Sequence, residues 1–182
     1  NGKACEVADF NQKDTIAELL QRIRPDVVVN AAAYTAVDRA EEDQEAAWRA
    51  NADSPGVLAR WCAQEKVPLV HYSTDYVFDG QGQRPYREDD ATAPLGVYGA
   101  SKLAGEEAIR AAGGRHLIFR TAWVYASHGQ NFLRTMLRVG AEREELKVVA
   151  DQIGTPTPAA LIADVTAQAI QHPAELSGTW HL

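Results

Sequence analysis

Thiol chemistry has little to work with in this chain. Cys5 and Cys62 are its only cysteines, too few to build a disulfide framework or, alone, a zinc site. That scarcity fits a reducing, cytoplasmic setting. No apolar run approaches the roughly 18 residues of a membrane span, and the opening NGKACEVADF lacks the apolar core of a signal peptide. Basic excess is missing too: the net charge is −7, the pI is near 5.2 and no basic run stands out, which speaks against nucleic acid as a partner. No repeat or low-complexity segment interrupts the pattern. Met136 is the single methionine, so no initiator is present, and the chain reads as a central piece of a longer protein.

What is present has the composition of one globular domain: 182 residues, 46% hydrophobic and 24% charged. Short apolar runs alternate with helical periodicity. Asp14 is placed to cap a helix over 15–24, with Ile16, Leu19, Leu20 and Ile23 on one face, and Pro25 stops it. Val27–Val29 and VPLVHYS read as strands buried on both faces. Between them, 42–65 is helical. HLIFRT, LKVVAD at 146–151 and GTWHL read as further strands, and 98–112, 131–144 and 158–170 as helices. The alternation predicts an α/β fold, a Rossmann-like doubly wound parallel sheet flanked by helices. Ligands of such sheets bind beyond the carboxyl ends of the strands. The segments NAAAYTAVD, STDYVFDG and RTAWVYA leave strands there.

The segment YGASKLAGE carries the main chemical signal. Tyr98 and Lys102 fall one helical turn apart on the same face. A neighbouring ammonium favours the phenolate, and the spacing therefore predicts a lowered Tyr98 pKa and a better acid toward a developing alkoxide. The competing reading is a tyrosine and a lysine on a solvated helix face. Ser73, Thr74 and Asp75 follow a strand and either hydrogen-bond a substrate oxygen or cap their own turn. Ala31–Ala33 either let a ligand approach the backbone or pack a strand tightly against a helix. Asp9 either accepts from an adenine amino group or is an ordinary loop residue. Trp123 and Tyr125 either stack on a ligand or enter the core. His71 and His116 read as packed side chains, and no spacing suggests a dedicated metal site.

Taken together, RPDVVVNAAAYTAVDRAEED, VHYSTDYVFDG, APLGVYGASKLAGE, FRTAWVYA and DQIGTPT resemble the extended short-chain dehydrogenase/reductase superfamily, and within it the dTDP-4-dehydrorhamnose reductases. The segments run in family order over nearly the whole chain. The resemblance implies hydride transfer from NADPH or NADH to C4 of a dTDP-4-keto-6-deoxy sugar, giving dTDP-L-rhamnose for bacterial cell-surface polysaccharide. Tyr98 would donate the proton, Lys102 would bind the nicotinamide ribose and tune Tyr98, and Thr74 would hydrogen-bond the reacting oxygen. Ala32 and Ala33 would line the cofactor, with Asp9 and Phe10 at its adenine end. Thr35, Val37, Asp75, Tyr76 and Trp123 would lie toward the sugar nucleotide. The family also allows a homodimer and, in some members, Mg2+ at a dimer contact, for which no position here can be assigned. The family's GxxGxxG turn, which cradles pyrophosphate on a helix N-terminus, has no counterpart in the sequence, and neither does the family's C-terminal part. Residues 1–182 therefore read as a single NAD(P)-binding domain truncated at both ends, expected to bind dinucleotide poorly. An epimerase or dehydratase of the same superfamily and a regulatory subunit of the methionine adenosyltransferase type are the alternative readings.

Overall fold

Among the described residues five strands pair in parallel: β1 (Val28–Asn30), β2 (Leu69–Thr74), β3 (His116–Tyr125), β4 (Pro156–Pro158) and β5 (Gly178–His181). This computed structural model describes residues 5–10, 12–172 and 175–182. β2 lies between β1 and β3. β3 is long enough to take two partners along its length: β5 pairs with Leu117–Arg120, and β4 with Ala122 and Tyr125. The register shifts between those two points, where Trp123 takes a left-handed backbone with φ of 46°.

Side chains of a strand point alternately to opposite faces, and each face finds its own cover. Leu69 and Ile118 pack with Ile16, Leu20, Leu58, Trp61 and Ile109 of α1 (Lys13–Ile23), α4 (Ser54–Glu65) and α5 (Val97–Ala111). Val70, Leu117 and Phe119 pack on the other side with Ala169 and Val165 of α7 (Ala159–Ala169). The doubly wound arrangement expected from the unbroken apolar runs is therefore present, and Cys62 is buried within the first of these cores.

Three local expectations need correction. Val29 is exposed, so β1 is covered on one face only and not on both. Helix α1 starts one residue before Asp14, and its N-cap position falls on Gln12. LKVVAD is not a strand. Val148 and Val149 stay exposed, and it is Pro156–Pro158 that pairs with the far end of β3. Strand propensity needs a partner and a face to cover. Helix α6 (Phe132–Glu142) buries none of its side chains among the described residues.

The helical region 42–65 is interrupted. After α2 (Val37–Ala40) and α3 (Gln44–Trp48), residues Arg49–Asp53 form a π turn that runs into α4. Such a turn often marks a position where a helix must present a particular group. Here it presents Asn51, which is fully buried. Its Oδ1 accepts the Tyr34 N–H at 2.8 Å, and its Nδ2 donates to the Tyr34 carbonyl at 3.0 Å and to Ser101 Oγ at 3.1 Å. The loop leaving β1 is thereby tied to α5. Helix and turn meet closely: a Cβ at Gly105 would collide with the Asn51 carbonyl oxygen. Gly105→Ala is expected to destabilise the fold by about 1–3 kcal/mol, the usual range for overpacking. Urea denaturation would measure it, and an unchanged midpoint would contradict the close approach.

Candidate functional site

The carboxyl ends of β1 and β2 and the first turns of α5 form the candidate site. Thr74 ends β2 and caps a 3-10 turn, Asp75–Val77, by accepting the Tyr76 N–H at 3.2 Å. Its hydroxyl donates to Asp75 Oδ1 at 3.1 Å and lies near enough to the Tyr98 phenol to favour its ionised form. The Tyr76 and Tyr98 rings meet edge to face, 5.6 Å between centroids. Gly99 lets α5 pass directly over this turn, since a Cβ there would strike the Tyr76 carbonyl oxygen. The Val97 N–H, at the start of α5, donates to Glu41 Oε1 at 2.7 Å.

One turn deeper, Lys102 is 2% exposed. Its Nζ donates to the Tyr72 carbonyl at 2.6 Å and lies 3.4 Å from His71 Nε2. His71 Nδ1 is in turn 3.0 Å from Asn30 Nδ2, and Asn30 Oδ1 accepts the Ala32 N–H at 3.2 Å. A hydrogen-bonded line thus joins the loop after β1 to the lysine of α5. Beyond Lys102, Glu106 is fully buried and receives Arg120 at 2.7 and 2.9 Å, with Arg110 at 3.1 Å.

Electrostatics corrects the expectation for Tyr98. Its pKa is raised, not lowered: burial dominates, the hydrogen bond with Thr74 opposes it, and the Asp75 carboxylate adds to it. The Lys102 Nζ is instead drawn down to β2 by the Tyr72 carbonyl. Burial lowers the Lys102 pKa to about 8, against the opposing pull of Glu106. Burial also raises Asp75, with hydrogen bonds from Thr74 and the backbone opposing.

Of the residues singled out in the sequence, Thr74, Asp75, Tyr76 and Tyr98 come together directly, and Lys102 joins them from below. Ala32 is exposed and Ala33 half-buried on the loop beyond β1, beside exposed Thr35 and half-buried Val37. Small, open side chains at a strand end leave backbone for a ligand to approach, which fits a dinucleotide. Phe10 packs on the first core, and its carbonyl accepts Ser54 Oγ–H at 3.1 Å. Asp9 accepts from Gln12 Nε2 at 3.3 Å. Trp123 has its ring 6.4 Å from that of Phe132 and beside Gly154. Among the described residues no group of three or more His, Cys, Asp or Glu is arranged to hold a metal ion. No described helix is long and apolar enough to cross a membrane.

Sequence reasoning missed Glu106 and treated His71 as mere packing. Glu106 lies one further turn along the same stripe as Tyr98 and Lys102, a periodic signal that was available. The partner of Asn30 was not, because β1 and β2 pair only in the folded sheet.

A parallel sheet covered on both faces, with a tyrosine and a buried lysine over its strand ends, defines a Rossmann-like α/β domain. The sequence profile of the RmlD substrate binding domain matches residues 3–182. The chain belongs to that family. It is 51% identical over 177 residues to the dTDP-4-dehydrorhamnose reductase of Escherichia coli, covering 96% of this chain and 59% of that protein. The chain thus spans about three-fifths of the length of this curated relative. A crystal structure of dTDP-4-dehydrorhamnose reductase from Bacillus anthracis in complex with NADP superposes with a TM-score of 0.90 at 40% identity, over 96% of this chain and 61% of that one. UDP-glucose 4-epimerase from Brucella ovis, 19% identical with a TM-score of 0.77 over 97% of this chain and 62% of its own, shares the fold.

Proposed function

We propose that this chain carries the catalytic core of an NAD(P)H-dependent reductase that converts dTDP-4-dehydro-L-rhamnose to dTDP-L-rhamnose. The observation that carries the reading is the Tyr98 phenol beside Thr74 and Tyr76 at the end of β2, with Lys102 buried one turn below. That it occurs in a chain 51% identical to a curated dTDP-4-dehydrorhamnose reductase adds the substrate. The same proposal takes residues 1–182 as one dinucleotide-binding domain, working in the cytoplasm and pairing as a homodimer.

Reduced nicotinamide, when bound, supplies the hydride. Every other role falls to this chain. Tyr98 gives its proton to the C4 oxygen. Its raised pKa keeps the phenol protonated at neutral pH, as a donor must be, and burial keeps water from competing for the proton. Thr74 hydrogen-bonds the same oxygen and holds it where negative charge develops. Lys102 holds the nicotinamide ribose. Ala32 and Ala33 line the cofactor, and Asp9 and Phe10 meet its adenine end. Thr35, Val37, Asp75, Tyr76 and Trp123 face the sugar nucleotide.

The complete gene product, mixed with NADPH or NADH, should lose reduced-nicotinamide absorbance only when dTDP-4-dehydro-L-rhamnose is added. Cofactor binding without sugar-dependent oxidation would contradict the assignment and return weight to the regulatory alternative.

A further inference from the structure

Asn30 fixes the tautomer of a buried histidine, and that tautomer bears on Lys102. The side-chain oxygen of Asn30 is committed to the Ala32 N–H, so its amide nitrogen is the atom turned toward His71 Nδ1. An amide NH2 can only donate. His71 Nδ1 therefore accepts, and the proton of the neutral ring sits on Nε2. The ring is neutral because burial holds its pKa well below the usual range. Nε2–H then faces Lys102 Nζ at 3.4 Å. An ammonium has three donors and no acceptor, so it would meet this group donor to donor. A neutral amine has a lone pair to accept from Nε2–H and still has an N–H for the Tyr72 carbonyl at 2.6 Å.

We propose that Asn30 and His71 are positioning residues: by presenting Nε2–H to Lys102 Nζ they favour its neutral amine over the ammonium. The charged neighbours support a balance of this kind. Glu106, one turn further along α5, pulls toward the ammonium, but Arg120 of β3 and Arg110 of α5 both pair with its carboxylate. Tyr98 lies one turn the other way and is protonated. From the π turn comes Asn51, uncharged and bonded to Ser101, while its Arg49 and Asp53 pair with Glu45 and Lys13; the Asp75 carboxylate of the 3-10 turn acts on Tyr98. β1 contributes Asn30.

The importance of the proposal for turnover rests on the reductase reading, but its test does not. In the substrate-free protein, imidazole 15N shifts of His71 report the tautomer, and the 13Cε shift of Lys102 reports its titration. The expected result is a proton on Nε2 and a Lys102 midpoint well below that of an ordinary lysine. Asn30→Asp supplies a carboxylate that accepts a hydrogen bond from Nδ1–H, so that the ring proton sits on Nδ1 and Nε2 becomes an acceptor for the ammonium. The Lys102 midpoint should then rise by about one pH unit or more, tenfold in the proton equilibrium. His71→Gln, whose amide oxygen can turn to Nζ, should raise it as well and decides the matter if Asn30→Asp does not fold. In the complete gene product, the pH profile of kcat should move with the Lys102 midpoint, whereas a merely structural role would lower kcat equally at every pH. A proton on Nδ1 in the unsubstituted protein, or a midpoint unmoved in the folded variants, would overturn the proposal. Absence of turnover with the expected spectra would instead count against the reductase reading.

Discussion

Phenylalanine in place of Tyr98 is expected to lower kcat for the keto sugar by about 100- to 10,000-fold, the range general acid catalysis supplies, with cofactor affinity unchanged. The substitution removes one hydroxyl. The ring keeps its edge contact with Tyr76, α5 keeps its Gly99 crossing, and Lys102 keeps its bond to the Tyr72 carbonyl. What is lost is the proton aimed at the developing alkoxide and one partner of Thr74. Turnover measured at saturating cofactor, with a fluorescence titration of NADPH binding, separates the two effects. Undiminished turnover would remove Tyr98 from the role of proton donor. Loss of binding together with turnover would mean that the phenol holds the cofactor.

Arg120→Ala is expected to be the most destabilising of the substitutions considered, at about 3–5 kcal/mol. Arg120 is 5% exposed and Glu106 fully buried, and the guanidinium meets the carboxylate through two hydrogen bonds. It also lies 5.1 Å from the centroid of the Phe78 ring and donates to the Glu88 carbonyl at 3.3 Å. Removing it strands a carboxylate in the interior with only the more exposed Arg110 beside it. A pH dependence follows. Burial by itself would raise the Glu106 pKa, but the hydrogen bonds and charge of Arg120, with help from Arg110, outweigh it and leave the carboxyl below its ordinary value. A depressed folded-state pKa contributes stability that is present above the unfolded value, near 4.3, and is lost as pH falls through the folded value. The unsubstituted protein should therefore weaken on acidification below about pH 4. Arg120→Ala should lose less over the same interval, since its Glu106 has little left to lose. Urea midpoints across pH measure both, and a penalty under about 1 kcal/mol would show that water or Arg110 replaces the guanidinium.

Much of this architecture could be read in advance because its signals are local. VPLVHYS is apolar without alternation because both faces of β2 are covered, and Tyr98 and Lys102 share a helix face wherever that helix lies. LKVVAD misled because its valines carry strand propensity but no described strand pairs with them. The π turn at Arg49–Asp53 was hidden within a helical pattern, since the demand for it comes from Tyr34 and Ser101, distant in sequence from Asn51. The sign of the Tyr98 shift was misjudged for a similar reason. Spacing places the lysine next to the phenol, but only the fold shows its Nζ held by the Tyr72 carbonyl and the phenol buried against Thr74 and Asp75. Pair spacing reports proximity, whereas charge depends on what else is buried alongside.

Hydride delivery itself is the most direct test of the reading. NADPH carrying deuterium at the transferable position of the nicotinamide would be incubated with the complete gene product and dTDP-4-dehydro-L-rhamnose, and the isolated sugar nucleotide examined by proton NMR. The proposed reaction predicts dTDP-L-rhamnose with deuterium at C4 and nowhere else. A product protonated from solvent at C4, or a sugar nucleotide recovered unreduced while the cofactor stays bound, would contradict it.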